Sequence, residues 1–168
     1  IFVQVPRGAA PAGGYPVLYV LDGNATFITA AQVAHGRGNR PAVSRPDGLL
    51  IVGIGYPTQD SMDQEARRRD YTPAPMQGEG GGEARVFLDF IEQRLQPAVQ
   101  AAWPVDAARQ TLFGHSLGGL LVVHALATRP GLFTRYAAAS PSLWWNDGLS
   151  LRAVERWIEA KAAPSAPK

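Results

Sequence analysis

The chain is 168 residues long, 46% hydrophobic and 18% charged, with 18 Gly, 14 Pro and no Cys. That length predicts one domain with a sizeable core, and the absence of cysteine excludes a disulfide scaffold, a thiolate zinc site and a cysteine nucleophile. The net charge is only +2, the longest basic run (Arg67-Arg68-Arg69) is followed at once by Asp70, and no apolar stretch nears the ~20 residues of a membrane span, so no nucleic acid is expected as a partner and no membrane span is expected.

Ile1-Phe-Val-Gln-Val5 alternates apolar and polar residues up to Pro6, which predicts a half-buried strand. Because the chain opens on Ile1 inside this pattern, any targeting peptide is expected outside the 168 residues, and localisation stays open. Residues 6–14 read as a turn. Pro16-Val-Leu-Tyr-Val-Leu21 is a nearly continuous apolar run, the mark of a strand covered on both faces. Asp22-Gly23-Asn24 ends it, Ala25 to His35 reads as a helix, and a loop of Gly, Arg and Pro follows. Leu49-Leu-Ile-Val-Gly-Ile54 predicts a second buried strand, ending at Gly55-Tyr56-Pro57.

Residues 57–82 are polar and rich in Gly, Pro and charge, and read as one long loop of a functional or mobile kind. Glu83 to Gln96 carries Val86/Phe87, Phe90/Ile91 and Arg94/Leu95 at helical spacing, predicting a helix with one apolar stripe that Pro97 must kink or end. Thr111-Leu-Phe113 reads as a short strand, Leu117 to Thr128 as an apolar helix, Tyr136 to Ala139 as a strand, and Leu151–Ala160 as a helix fading into a Pro-rich tail. Strands alternating with helices, two of the strands wholly apolar, predict an α/β fold: a mostly parallel sheet with helices on both faces. In such sheets chemistry sits at the carboxyl ends of the strands, here near 22–24, 55–57, 114–116 and 139–142.

Gly114-His115-Ser116-Leu117-Gly118 is a G-x-S-x-G pattern. Chance supplies about 0.08 copies at this composition, so the pattern alone is only moderately specific. Its context adds more, because it follows a short apolar strand and opens an apolar helix, the setting of a nucleophile elbow. The backbone must fold tightly there, so the residues two before and two after Ser116 are expected to need to be glycine. The alternative is a Gly-rich turn with a capping Ser. As a nucleophile, Ser116 needs oxyanion donors. The Leu117 N–H is the first. The second is expected from the Asp22-Gly23-Asn24 loop, with Gly23 turning the backbone so that the Asn24 N–H faces the site. Asn24 as a helix N-cap is the other reading, and the two are compatible.

A general base must come within ~2.6–3.2 Å of the serine. His115 adjoins Ser116 on a diverging elbow and is expected to pack or hydrogen-bond. His124, eight residues along the helix, is expected to be a partly buried helix residue, and His35 is comparably remote. Only Asp147, Glu155 and Glu159 follow the serine as acids, with no usable His after them, so the catalytic pair is expected outside this sequence. Two further patches stay open. Arg67, in the long loop, offers a fork suited to carboxylate or phenolate groups, or belongs to a solvated charge run. Trp144 and Trp145, after the last strand, either wall an aromatic acyl pocket or pack their loop onto the core. No metal-ligand cluster or phosphate-binding glycine loop is present in the sequence, so no cofactor and no metal are expected.

Five motifs in order carry a resemblance: Tyr15-Pro-Val-Leu-Tyr-Val-Leu-Asp-Gly-Asn24, Gly53-Ile-Gly-Tyr-Pro57, Arg67-x-x-Asp70-Tyr-Thr-Pro73, Gly114-His-Ser-Leu-Gly-Gly119 and Ala139-Ser-Pro-Ser-Leu-Trp-Trp145. Together they resemble the "putative esterase" branch of the α/β-hydrolases, most of all bacterial trilactone-siderophore esterases of the enterobactin, salmochelin and bacillibactin type. The resemblance implies an α/β-hydrolase domain over 1–168 and a serine carboxylic-ester hydrolase working through an acyl-enzyme on Ser116. It implies Asn24 and Leu117 as oxyanion amides, Arg67 as a substrate-side cation, and a small-molecule ester, a catecholate siderophore or a related aryl or acyl ester; Trp144, read as a pocket wall, is expected near that substrate. Related esterases occupy cytoplasm and periplasm, so both stay open. The family completes its site with a His, and in some members an acid, on later strands, which are expected to lie outside these 168 residues. Two other functions stay open, a non-catalytic remnant or fragment that keeps the fold, and an acyltransferase.

Overall fold

A computed structural model describes residues 1–7, 9–38 and 48–162. In chain order the elements are β1 (Phe2–Gln4), β2 (Tyr15–Leu21), α1 (Gly23–Gly38), β3 (Leu50–Ile54), α2 (Gln64–Tyr71) and a small hairpin of β4 (Pro75–Met76) and β5 (Gly80–Gly81). There follow α3 (Ala84–Phe90), a π turn (Ile91–Leu95), α4 (Gln96–Ala102), β6 (Val105–His115), α5 (Leu117–Thr128), β7 (Arg135–Ala139), a 3-10 turn (Trp145–Gly148) and α6 (Leu149–Ala162). The Pro-rich tail and most of the loop expected after α1 fall on 163–168 and 39–47, outside the described residues.

The main sheet has the order β1-β3-β2-β6-β7, with β1 antiparallel to β3 and the other pairs parallel. Side chains alternate across a strand, so the apolar runs of β2 and β3 serve two faces at once. Val17, Tyr19, Leu21, Val52, Ile54 and Leu112 join Tyr71, Phe87, Leu88, Ile91, Leu120 and Leu121 in one core, on the side of α2 to α5. On the other face, Phe27 of α1 lies against Gly53, where an added Cβ would stand 2.9 Å from its ring. Helices therefore cover both faces, as the strand–helix alternation requires. Among the described residues β7 is the outermost strand on its side of the sheet, and its Arg135, Ala137 and Ala138 are exposed.

Three elements depart from the sequence expectations. Residues 57–82 are not one loop: they contain α2, capped by the Asp63 side chain accepting from Ala66 N–H at 2.9 Å, and the β4–β5 hairpin. The buried residues of α2 are Ala66, Arg67, Asp70 and Tyr71, a stripe at helical spacing made largely of polar residues, which hydrophobic periodicity does not register.

The helix after Glu83 does not end at Pro97. Proline leaves the carbonyl four residues back without a donor. The ladder loosens just ahead of it, with Gln96 N–H bonding Ile91 O five residues back, and the helix runs on to Ala102. Its buried stripe is Ala84, Phe87, Leu88, Ile91, Leu95 and Val99, while Val86 and Phe90 of the expected stripe are exposed. β6, finally, is eleven residues rather than three, because its first half is polar and pairs with β2 through a register shift between Tyr15 and Val17.

Candidate active site

Ser116 stands between β6 and α5 at φ 57° and ψ −117°, a conformation that costs a non-glycine residue energy and persists only where its surroundings enforce it. Its N–H donates to Ala139 O at 3.1 Å. Its carbonyl accepts from Leu120 N–H at 2.9 Å and Ser142 N–H at 3.1 Å. The turn is thus bound to the end of β7 and to the loop after it. Of the flanking glycines, Gly114 has no room for a side chain: a Cβ there would lie 2.3 Å from Gly118 O. The expectation for Gly118 does not hold in the same way, since its Cβ would meet nothing nearer than 3.4 Å. Gly119 is the second tight position, with Ala139 O and Pro141 Cα each 3.0 Å from its Cβ.

The turn after β2 takes its shape from Asp22, not from Gly23. Asp22 carries the left-handed φ, 54°. Gly23 is needed for close approach, because its Cβ would lie 3.0 Å from backbone atoms of Gly53, Ile54 and Gly55. The N-cap position of α1 belongs to Asp22, whose carbonyl accepts from Ala25 N–H at 2.9 Å and Thr26 N–H at 3.0 Å. Asn24 caps nothing. Its side chain donates to Tyr56 O and Thr58 O, each at 3.1 Å, and accepts from Tyr56 N–H at 2.8 Å, tying the loops after β2 and β3 together.

The first amides of a helix lack acceptors within it. Asn24 and Leu117 hold such amides in α1 and α5, and Val20 of β2 pairs with Phe113 of β6. Both amides therefore stand four residues beyond one paired position on adjacent parallel strands, which brings two helix N-termini side by side.

Arg67 is turned inward. It is 4% exposed, with Nε 2.6 Å from Asp22 Oδ1, Nη2 3.1 Å from Asp22 Oδ2 and Nη1 3.0 Å from Gln64 Oε1. Its fork faces a carboxylate of the protein itself, not solvent. Beside it Tyr71 Oη accepts from Asp22 N–H at 3.2 Å, and burial, then the Asp22 carboxylate, raises the phenol's pKa above the usual range. The two tryptophans separate. Trp145 is buried and its Nε1 donates to Ala74 O at 2.9 Å, so it packs the loop, whereas Trp144 is 65% exposed beside it.

The hydrogen-bond partner of Ser116 Oγ is Ser142 Oγ, 3.2 Å away, a residue the sequence reading did not single out. Ser142 is buried, and the loop after β7 delivers it. His115 is exposed rather than packed, and His35 is exposed near the far end of α1. Among the described residues no group of three or more His, Cys, Asp or Glu could hold a metal. No described helix is long and apolar enough to cross a membrane.

His124 is half-buried in α5, as expected, and burial, then nearby Arg129, lowers its pKa below 6.5. As pH falls through 6.5 the unfolded chain takes up a proton that the folded chain refuses, so stability falls. Urea unfolding at pH 7 and pH 5.5 is expected to show this loss, and His124→Gln to reduce it.

A mostly parallel sheet covered by helices, with a strained serine between a central strand and a helix, defines the α/β-hydrolase class. Comparison with known proteins narrows this. Residues 1–168 match the family described as "Putative esterase", and the chain belongs to that family. It is 47% identical over 156 residues to a siderophore triacetylfusarinine C esterase of Aspergillus fumigatus, covering 89% of this chain and 51% of that protein. It is 38% identical over 170 residues to the ferri-bacillibactin esterase BesA of Bacillus subtilis, covering 94% and 58%. A crystal structure of the BES protein from Bacillus cereus superposes with a TM-score of 0.88 at 38% identity, over 96% of this chain and 63% of that one. The chain spans about half the length of the curated relatives it matches. Those relatives are fungal as well as bacterial, so the likeness is not confined to bacteria.

Proposed function

We propose that this chain carries the nucleophile and the oxyanion donors of a serine carboxylic-ester hydrolase. The observation that carries the reading is Ser116, held at φ 57° between a central strand and a helix, with the Leu117 and Asn24 amides on adjacent helix N-termini. In this reading Ser116 Oγ bonds to the ester carbonyl carbon, and the carbonyl oxygen becomes an oxyanion held by the two amides. The carbon–oxygen bond to the alcohol then breaks, the alcohol leaves with a proton, and water hydrolyses the acyl-serine. The Oγ proton goes to a histidine outside these 168 residues, since His35, His115 and His124 are not placed to take it. The substrate class is a siderophore-type ester, by analogy with the named activities of the relatives. Trp144 offers that substrate an exposed aromatic face, while Arg67 does not contact it.

One observation favours a second reading, a chain that keeps the fold without turnover: the partner of Ser116 Oγ is Ser142, not an imidazole. A fluorophosphonate probe separates the two. In the full-length protein, which supplies the histidine, the expected result is one modification, mapped by mass spectrometry to Ser116 and absent from Ser116→Ala. Labelling of Ser116→Ala as strong as that of the unmutated chain overturns the nucleophile assignment.

A further inference from the structure

We infer that the buried Asp22–Arg67 pair is the positioning device of the oxyanion turn, with α2 as its brace. The inference rests on the esterase reading and adds to it the group that sets where the Asn24 amide stands. Each polar group of Asp22 is held: the carboxylate by the Arg67 fork, the N–H by Tyr71 Oη, and the carbonyl by the Ala25 and Thr26 amides and Thr26 Oγ1. Arg67 and Tyr71 lie four residues apart on α2, so one helix face grips the backbone and the side chain of one residue. That residue is the one driven to a left-handed φ of 54°.

The carboxylate also reaches the other half of the site. A Cβ on Gly118 would lie 3.5 Å from Asp22 Oδ2, so Asp22 abuts the first turn of α5, where the Leu117 amide opens. From the opposite side, the Asn24 side chain is bound to Tyr56 and Thr58. The Asn24 amide is therefore fixed between the ends of β2 and β3, and α2 determines the angle at which the chain arrives there.

Stability alone explains the pair poorly, because well-packed apolar residues commonly replace a buried ion pair without loss. What they do not reproduce is a planar two-point grip on one carboxylate. An oxyanion donor acts only when it is aimed at the developing charge, and removal of one such donor typically costs ~100- to 1000-fold in rate.

The test measures fluorophosphonate labelling of Ser116 in Arg67→Met and Arg67→Lys of the full-length protein, which supplies the histidine, together with the amide NMR signals of Gly23 and Asn24. Arg67→Met is expected to lower the maximal labelling rate about 10- to 100-fold, with half-saturation by the probe unchanged and both amide signals displaced. Arg67→Lys, which keeps the charge without the fork, is expected to recover part of that rate. Arg68→Met removes the exposed pair with Glu79 on the same helix and is expected to label at the unmutated rate.

An unmutated rate in Arg67→Met, or amide signals that do not move, overturns the inference. Should Arg67→Met fail to fold, Arg67→Lys decides by the same two readings. Absence of labelling in the unmutated full-length protein overturns the esterase reading, and the positioning inference with it. Normal labelling of the unmutated protein with an unmutated rate in Arg67→Met overturns the positioning inference alone.

Discussion

Gly114→Ala is expected to destabilise the fold by on the order of 4 kcal/mol and to remove Ser116 reactivity with it. The added methyl meets the carbonyl oxygen of Gly118 at 2.3 Å and its carbonyl carbon at 2.4 Å. Both are backbone atoms in the first turn of α5, so no rotamer change relieves the clash. The elbow can open only by breaking the bonds that hold Ser116 to Ala139 and Ser142. With typical stabilities of ~5–15 kcal/mol, this change leaves a chain near the edge of folding. Gly118→Ala has room by comparison and is expected to change stability by less than about 1 kcal/mol. Urea unfolding of the two variants, followed by circular dichroism, separates them. Equal midpoints would mean that the elbow is not the rigid turn described here.

This contrast marks a limit of motif reading. G-x-S-x-G names two glycines, but the contact that forbids a side chain lies at Gly114, and the next tightest position is Gly119, one residue past the motif. Which glycine is compelled depends on where β7 and Pro141 pass, and that is tertiary geometry. The same holds for the turn after β2. Gly23 is the obvious flexible residue in sequence, yet the left-handed backbone falls on Asp22, which partners on α2 and in the first turn of α1 hold there.

The legible elements were those whose burial is apolar. β2, β3 and α5 announce themselves as hydrophobic runs, and their ends place Asp22, Gly55 and Ser116 at one edge of the sheet. α2 was not legible, because it buries Arg67 and Asp70 by pairing them with charge instead of replacing them with leucine. The reading of Arg67 as a substrate-side cation misses the same pairing: its fork is engaged by Asp22, 45 positions earlier in the chain. Asp63, Arg67 and Tyr71 at cap and helical spacing were the available signal. Ser142 had none, since it meets Ser116 only through the loop after β7.

Asp22→Ala is expected to be the other severe change, costing about 3–5 kcal/mol by leaving the Arg67 charge buried without a partner. The left-handed backbone adds roughly 1 kcal/mol more for alanine. Asp22→Asn separates these contributions. Asparagine tolerates the left-handed region and still accepts one bond from Arg67, so most of its loss is loss of charge, and its cost should fall between wild type and Asp22→Ala. The comparison that isolates burial is Glu79→Ala. Arg68 and Glu79 approach to 2.6 Å, as close as Arg67 and Asp22, but the side chains of that pair are 37% and 42% exposed against 5% and 2%. An exposed pair contributes ~0–1 kcal/mol whatever its distance, because water solvates the survivor when its partner goes. Unfolding free energies from urea titrations should therefore differ several-fold between Asp22→Ala and Glu79→Ala. Similar losses would show that Arg67 reaches water once Asp22 is gone, and that the brace between α2 and the β2 turn is looser than its hydrogen bonds imply.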